Sequence, residues 1–390
     1  MQPPTGHHTG LLAALGATRL PVPLPMPYRA VSPSRFEDRL RRSPVAALRD
    51  VVTKAPSSGP NLAALDGVRG IAVVLVIAGH ADGLHLKGHG AVGVWLFFAL
   101  SAFLLTLPYA ADSARIFEPG RLWNYLRRRL LRILPAYFLA ITVLAFLLSD
   151  PRFAWQHVLF IRASGIFWTI PQEMLFYLLL PPLLILHPLV FRNHYGVTIL
   201  ALMLMAALAY TPLTQGVFTL PGNDKRLPFH FGVFATGMAF AYAVHVDGVL
   251  RFVRRPAVHR CLDVLGLALM LSLVFTAPYY VERFSGLETR LGLHYNGVFG
   301  VLSGSLIAIA VVCEGGVTQR ILACLPLRML GLVSYSLYLF HVMVQGAVRS
   351  AIPGLAPGNA LFLCDLVATF IVACVTYSLV ERPLLRWGRP

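Results

Sequence analysis

Residues 69–80 read RGIAVVLVIAGH: ten apolar or glycine residues held between an arginine and a histidine. A helix of this composition has no polar face, so it must be surrounded by apolar material on every side. Similar runs, each about 17–25 residues long, recur at 66–82, 91–110, 130–148, 170–191, 195–212, 228–245, 261–280, 294–313, 329–347 and 359–381. Hydrophobic residues make up 57% of the 390 positions and charged residues 13%, too little polar surface to cover a soluble globule of that size. The pattern predicts an all-α fold, a polytopic transmembrane bundle of about ten helices.

The formal net charge of +16 would suit a nucleic-acid partner, but in a multi-pass protein basic residues report orientation first. With the N-terminus inside, 25 of the 33 Lys and Arg fall in cytoplasmic segments and 8 in outer loops. This predicts a protein of the inner or plasma membrane with both termini cytoplasmic, attracted to anionic lipid and not to nucleic acid. Residues 1–60 include LPVPLPMPYRAVSPSRFEDRLRRSP, which is basic and proline-punctuated and lacks the apolar core of a signal peptide. They are expected to form a cytoplasmic tail, whose SRFEDRLRRSPVAALRDVV stretch reads equally as short amphipathic segments broken at Pro44 or as disorder. Residues 61–390 read as one membrane domain without an internal repeat. The five cysteines show no CxxC or regular spacing and read as small apolar packers. In HADGLHLKGHGAVG, His85 and His89 are four apart, but glycines at 83, 88 and 90 disfavour the helix that a metal pair would need, so no metal is expected.

Eleven residues separate Arg69 from His80, three helical turns plus about 20°, so both side chains share one face about 16 Å apart along the axis. Asp66 stands three residues before Arg69, close enough to pair with it. Ionisable groups inside a span cost several kcal/mol unless they face a cavity or a partner, which makes them functional candidates. Three further clusters qualify. YLRRRLLRILPAYF crowds Arg127, Arg128, Arg129 and Arg132 at the cytoplasmic mouth of the third span, and the guanidinium fork suits phosphate oxygens, although lipid headgroups are an alternative partner. WTIPQEMLFYLLLPP places Glu173 in an apolar run between Trp168 and Tyr177. SYSLYLFHVMVQ sets Ser334, Tyr338, His341 and Gln345 at spacings of four, three and four, a polar stripe that also reads as helix glue.

In this order the stretches resemble the acyltransferase 3 family of integral membrane acyltransferases. The most specific match is an arginine, ten residues and a histidine, here LDGVRGIAVVLVIAGH. GVWLFFALSAFL, RRRLLRILPAYF, WTIPQEMLFYLLLP, SYSLYLFH and VERPLLR match further segments, and the resemblance runs from about Leu62 to Arg386. Two positions depart from the pattern: Trp95 stands where an acidic residue is common, and Ala102 where glycine is usual.

The resemblance implies transfer of an acyl group, acetyl above all, from acetyl-CoA or another acyl-CoA to a hydroxyl on a sugar, glycoside or natural product such as a macrolide. That chemistry needs a base, an oxyanion donor and a site for an anionic carrier. His80 is the candidate base, with a transient acyl-histidine as the alternative. Arg69 and Glu173 join it as catalytic candidates, Glu173 either orienting His80 or holding the acceptor hydroxyl. Arg69, Arg128, Arg129, Arg132, Tyr338 and His341 are candidates for binding acyl-CoA, and Asp66, Trp168 and Tyr177 for binding the acceptor. With no fused outer hydrolase-like domain, a stand-alone enzyme acting on a small glycoside, a lipid-linked sugar or a natural product is expected, and a homo-oligomer stays open. The rival classes are a proton-coupled transporter using His80, Glu173 and His341 as a relay, and a membrane scaffold in which these residues are glue.

Overall fold

The computed structural model describes residues 60–82, 84, 86, 88–209, 227–276 and 296–387. The expected N-terminal tail and His85 lie outside these. Every described element is helical, and the predicted apolar runs map onto them one by one. The first spans are α1 (Pro60–His80), α2 (His89–Thr106) and α3 (Arg121–Leu147). A short amphipathic helix, α4 (Pro151–Val158), precedes α5 (Thr169–Leu189) and α6 (Tyr195–Ala209). Then come α7 (Leu227–Ala243), α8 (Asp247–Val253), α9 (Pro256–Phe275) and α10 (Asn296–Val312). The chain closes with α11 (Val317–Leu322), α12 (Leu325–Leu332), α13 (Ser334–Ala351), α14 (Asn359–Thr376), a π-helical turn at Tyr377–Glu381 and α15 (Arg382–Trp387).

Among the described residues six spans pass by length and composition as membrane-crossing, or eight if each of two bent pairs counts as one. The apolar helices α6 and α10 occupy the two remaining predicted positions and are shorter. The protein is a multi-pass helical membrane protein.

One expected continuous span is broken. The run at 329–347 divides into α12 and α13, which meet at 78°. The break follows Gly331, where a Cβ would overlap the Asp66 carbonyl of α1 and press on Arg69. α12 must lie backbone-to-backbone against α1. α13 is held elsewhere, since Tyr335 donates to the Ile133 carbonyl of α3 at 2.8 Å and Ser336 donates to Glu381. A straight helix cannot satisfy both sets of contacts.

Burial decides which helices build the site. The spans containing α1 and α2 are 72% buried within the protein, against 33% for α3 and 17% for α9. α1 therefore forms the centre of the bundle, packed against α2, α12 and α13, while α9 turns most of its surface to lipid. Cys313 and Cys374 are buried among apolar neighbours, whereas Cys261 is exposed.

Candidate active site

Arg69, near the middle of α1, and His80, at its end, both face α13. Around the first, Arg69 and Tyr338 line a cavity bounded by α1, α2, α3, α5 and α13. Arg129, Arg132, Glu173 and Tyr177 line it too. Arg129 and Arg132, three apart on α3, share the inward face, while Arg128 is rotated by about 100° and is exposed. Asp66 Oδ1 accepts from Arg69 Nη1 at 3.2 Å, as the spacing of three predicted. Even so, the walls carry three guanidinium groups against one carboxylate, and Arg129 Nε is buried without a hydrogen-bond partner among the described residues. Such a surplus of aimed donors suits a multiply charged anion.

The wall around Glu173 is internally bonded. Glu173 Oε1 accepts from Ser101 Oγ at 3.0 Å and from the Tyr177 hydroxyl. Tyr125 donates to the Tyr177 carbonyl at 3.0 Å, which ties α3 to α5. Thr169 Oγ1 donates to the Tyr338 hydroxyl at 2.9 Å, and Tyr338 donates to the Ile166 carbonyl. Ser101 and Thr169 are cavity residues that the sequence reading misses. Their signal is faint, because a hydroxyl in an apolar helix usually bonds its own backbone.

His80 closes α1, exposed, and meets His341, which is fully buried on α13. Their rings lie edge to face with centroids 5.0 Å apart. The carbonyls around them fix the tautomers. His80 Nδ1 lies 2.9 Å from the Val76 carbonyl and His341 Nδ1 lies 2.7 Å from that of Tyr338. A carbonyl only accepts, so each Nδ1 carries the proton. His341 Nε2, 3.4 Å from His80 Nδ1, is then a second acceptor for the same hydrogen. No described residue bonds His80 Nε2, and a neutral imidazole with that lone pair available can take a proton from an alcohol.

Glu173 belongs to the Arg69 cavity and not to His80, and two other sequence-predicted residues, Trp168 and Arg128, sit apart from both groups. Glu173 does not bond His80; its partners are Ser101 and Tyr177, and the residue that buttresses His80 is His341. Trp168 packs on Phe98 and His230 beside the cavity and does not line it. Arg128 points outward.

With this geometry in view, comparison with known proteins is decisive for the family. A family model described as an acyltransferase domain matches residues 62–378. The chain belongs to the acyltransferase 3 family. Three curated relatives are each 25% identical to it: the peptidoglycan O-acetyltransferase OatA of Listeria monocytogenes, the O-acetyltransferase OatA of Staphylococcus aureus and the putative peptidoglycan O-acetyltransferase YrhL of Bacillus subtilis. The matches cover 83%, 84% and 83% of this chain but 56%, 58% and 55% of the relatives, so the chain spans little more than half of their length. No solved structure matches.

Both departures from the acyltransferase 3 pattern have structural counterparts. Trp95, in place of an acid, donates its indole N–H to His230 Nδ1 at 3.3 Å inside an aromatic cluster with Phe299. Ala102 is fully buried opposite Gly237 of α7, where an added Cβ would meet the Ala99 carbonyl and the Ala102 methyl. The glycine that permits close approach stands on the facing helix.

Proposed function

We propose that this chain is a membrane-embedded O-acyltransferase that moves an acetyl group from acetyl-CoA to a hydroxyl of a glycan or glycoside, with His80 as general base. The observation that carries this reading is the pairing, along one buried helix, of an arginine-lined cavity with an imidazole whose Nε2 no described residue bonds. The family membership and the O-acetyltransferase names of the relatives agree with it.

The cavity residues fit the anionic end of acyl-CoA. Arg69, Arg129 and Arg132 hold its phosphates, and the orphaned Arg129 Nε gains the acceptor it lacks. The excess of basic residues on this side supports a cavity mouth that opens to the cytoplasm, where acyl-CoA resides. The acceptor hydroxyl loses its proton to His80 Nε2 as its oxygen bonds to the thioester carbonyl carbon. Collapse of the tetrahedral adduct breaks the carbon–sulfur bond, and the leaving thiolate takes the proton from His80. His341 and the Val76 carbonyl keep the ring in the required tautomer throughout.

The test is free-thiol release from acetyl-CoA by the purified full chain with a glycan acceptor. His80→Ala is expected to slow it by about 10²–10⁴-fold, the usual contribution of a general base. An undiminished rate removes His80 from the chemistry. No release by the wild type above background rejects the enzyme reading altogether.

A further inference from the structure

The second bent pair lies where α7 runs into α8, at 80°. A span near the membrane normal followed by such a bend leaves α8 almost in the membrane plane. Re-entry into hydrocarbon is the costly course, because α8 and the residues after it carry Arg251, Arg254 and Arg255. The bend stands at the end of the bundle where α3 begins: the Tyr242 hydroxyl, near the close of α7, lies 2.8 Å from Ser113 Oγ, between α2 and α3. By the distribution of basic residues this is the cytoplasmic end.

At 100° per residue α8 sorts into two arcs. Phe252, Val249, Val253 and Leu250 span about 160° of one side, and Asp247, Arg251 and Arg254 occupy the other. The bundle covers only part of the apolar arc. Val253 is buried, whereas Val249 and Phe252 are 38% and 53% exposed. A helix so divided, lying in plane, immerses its uncovered apolar side in lipid and keeps its basic side at the headgroups.

The charge is unbalanced as well. Arg251, Arg254, Arg255 and Arg260 of α9 are all exposed, and none joins an ion pair among the described residues. Between 247 and 260 the one acid is Asp247. The next, Asp263, is occupied: its carboxylate accepts from the backbone N–H groups of Val317 at 2.7 Å and Thr318 at 2.9 Å, which caps α11. Arg255 stays beside the apolar arc, with its guanidinium carbon 5.6 Å from the centroid of the Phe252 ring.

We propose that α8 and the start of α9 form a binding site for an anionic phospholipid of the inner leaflet. The arginine forks hold the headgroup phosphate, and Phe252 and Val249 lie among the acyl chains. The site shares no residue with the Arg69 cavity and stands whatever the chain catalyses. A soluble phosphate would leave Phe252 and Val249 in water, and a zwitterionic headgroup would bring its own cation against four others. Bound there, the lipid pins the turn between two spans, α7 and α9, to one leaflet.

The purified full chain in detergent is titrated with phosphatidylglycerol and, separately, with phosphatidylcholine, and bound lipid is counted by native mass spectrometry. The wild type is expected to bind phosphatidylglycerol about tenfold more tightly. The double variant Arg251→Gln, Arg255→Gln is expected to lose about tenfold in phosphatidylglycerol affinity, and Phe252→Ser about threefold with every charge in place. The control Arg192→Gln, Arg320→Gln removes two exposed charges elsewhere and should stay within about twofold of the wild type. No preference for phosphatidylglycerol, or an equal loss in the control, overturns the site. Excess sn-glycerol 3-phosphate is expected to leave the lipid bound; displacement by it overturns the lipid in favour of a soluble phosphate. If the glutamine variant fails to fold, Arg251→Lys, Arg255→Lys takes its place, with an expected loss of about threefold from the missing forks, and unchanged binding there overturns the arginines' part.

Discussion

Two stations along α1, Arg69 near its middle and His80 at its end, meet the same neighbour, α13, and handle charge in opposite ways. At Arg69 three guanidinium groups converge on a cavity, and the hydroxyls around them are bonded to one another and to Glu173. At His80 the ring is exposed, its Nδ1 bonded to a carbonyl and facing a second histidine, and the charges beyond it, Arg349 and Asp82, are paired in the open. The first arrangement waits for negative charge. The second can accept a proton and offers no net field to a charged ligand. One helix with two such ends suits a reaction whose partners differ in charge, an anionic carrier and a neutral alcohol.

Variants at each end should therefore separate in what they damage. The largest effect after loss of His80 is expected for the double variant Arg129→Gln, Arg132→Gln. Removing two charge-assisted contacts, each worth about 1.5–3 kcal/mol, should raise KM for acetyl-CoA by about 10²-fold or more and leave KM for the acceptor near its wild-type value. If the acceptor constant moves instead, the division of labour between the ends is wrong.

A smaller effect is expected at His341, a positioning residue that touches no substrate in this scheme. His341→Ala should lower kcat about tenfold with both KM values nearly unchanged. His341→Gln, whose amide oxygen still accepts from His80 Nδ1, should restore most of the loss. Equal rates for the two variants would show that the hydrogen bond does not matter.

The mildest prediction concerns a control outside both ends. His157 on α4 is buried, donates from Nδ1 to the Phe153 carbonyl at 2.8 Å and faces the Ser164 hydroxyl through Nε2 at 2.9 Å. Burial holds its pKa below the ordinary histidine value. The unfolded chain therefore binds the proton first. The stability that neutral His157 contributes is complete above about pH 6.5 and is lost as pH falls below it. Melting curves between pH 7.5 and 5 should show this decline, and His157→Gln should flatten it without altering either KM at pH 7.5.

The helices were legible because apolar runs of spanning length leave little choice in lipid. The 78° turn between α12 and α13 was not, since hydropathy is blind to direction and Gly331 gives no local sign of the α1 backbone it must meet. Helical arithmetic put Arg69 and His80 on a common face, but the sequence reading grouped Arg128 with Arg129 and Arg132, and the structure turns Arg128 outward. Such arithmetic could not say that Glu173 bonds Ser101 and Tyr177 while His341 buttresses His80, because those pairings join helices far apart in sequence.

Because Arg69 and His80 ride on one uninterrupted helix, in the proposed reaction α1 would act as a ruler between the carrier's phosphates and the reacting carbonyl. Side-chain adjustment cannot change its graduation. One residue inserted between 70 and 79 would lengthen it by about 1.5 Å and throw the two ends about 100° out of phase, while four would nearly restore the phase and add about 6 Å. Tolerance for carriers of different reach is thus written in the count of residues between the arginine and the histidine, and only secondarily in the walls of the cavity.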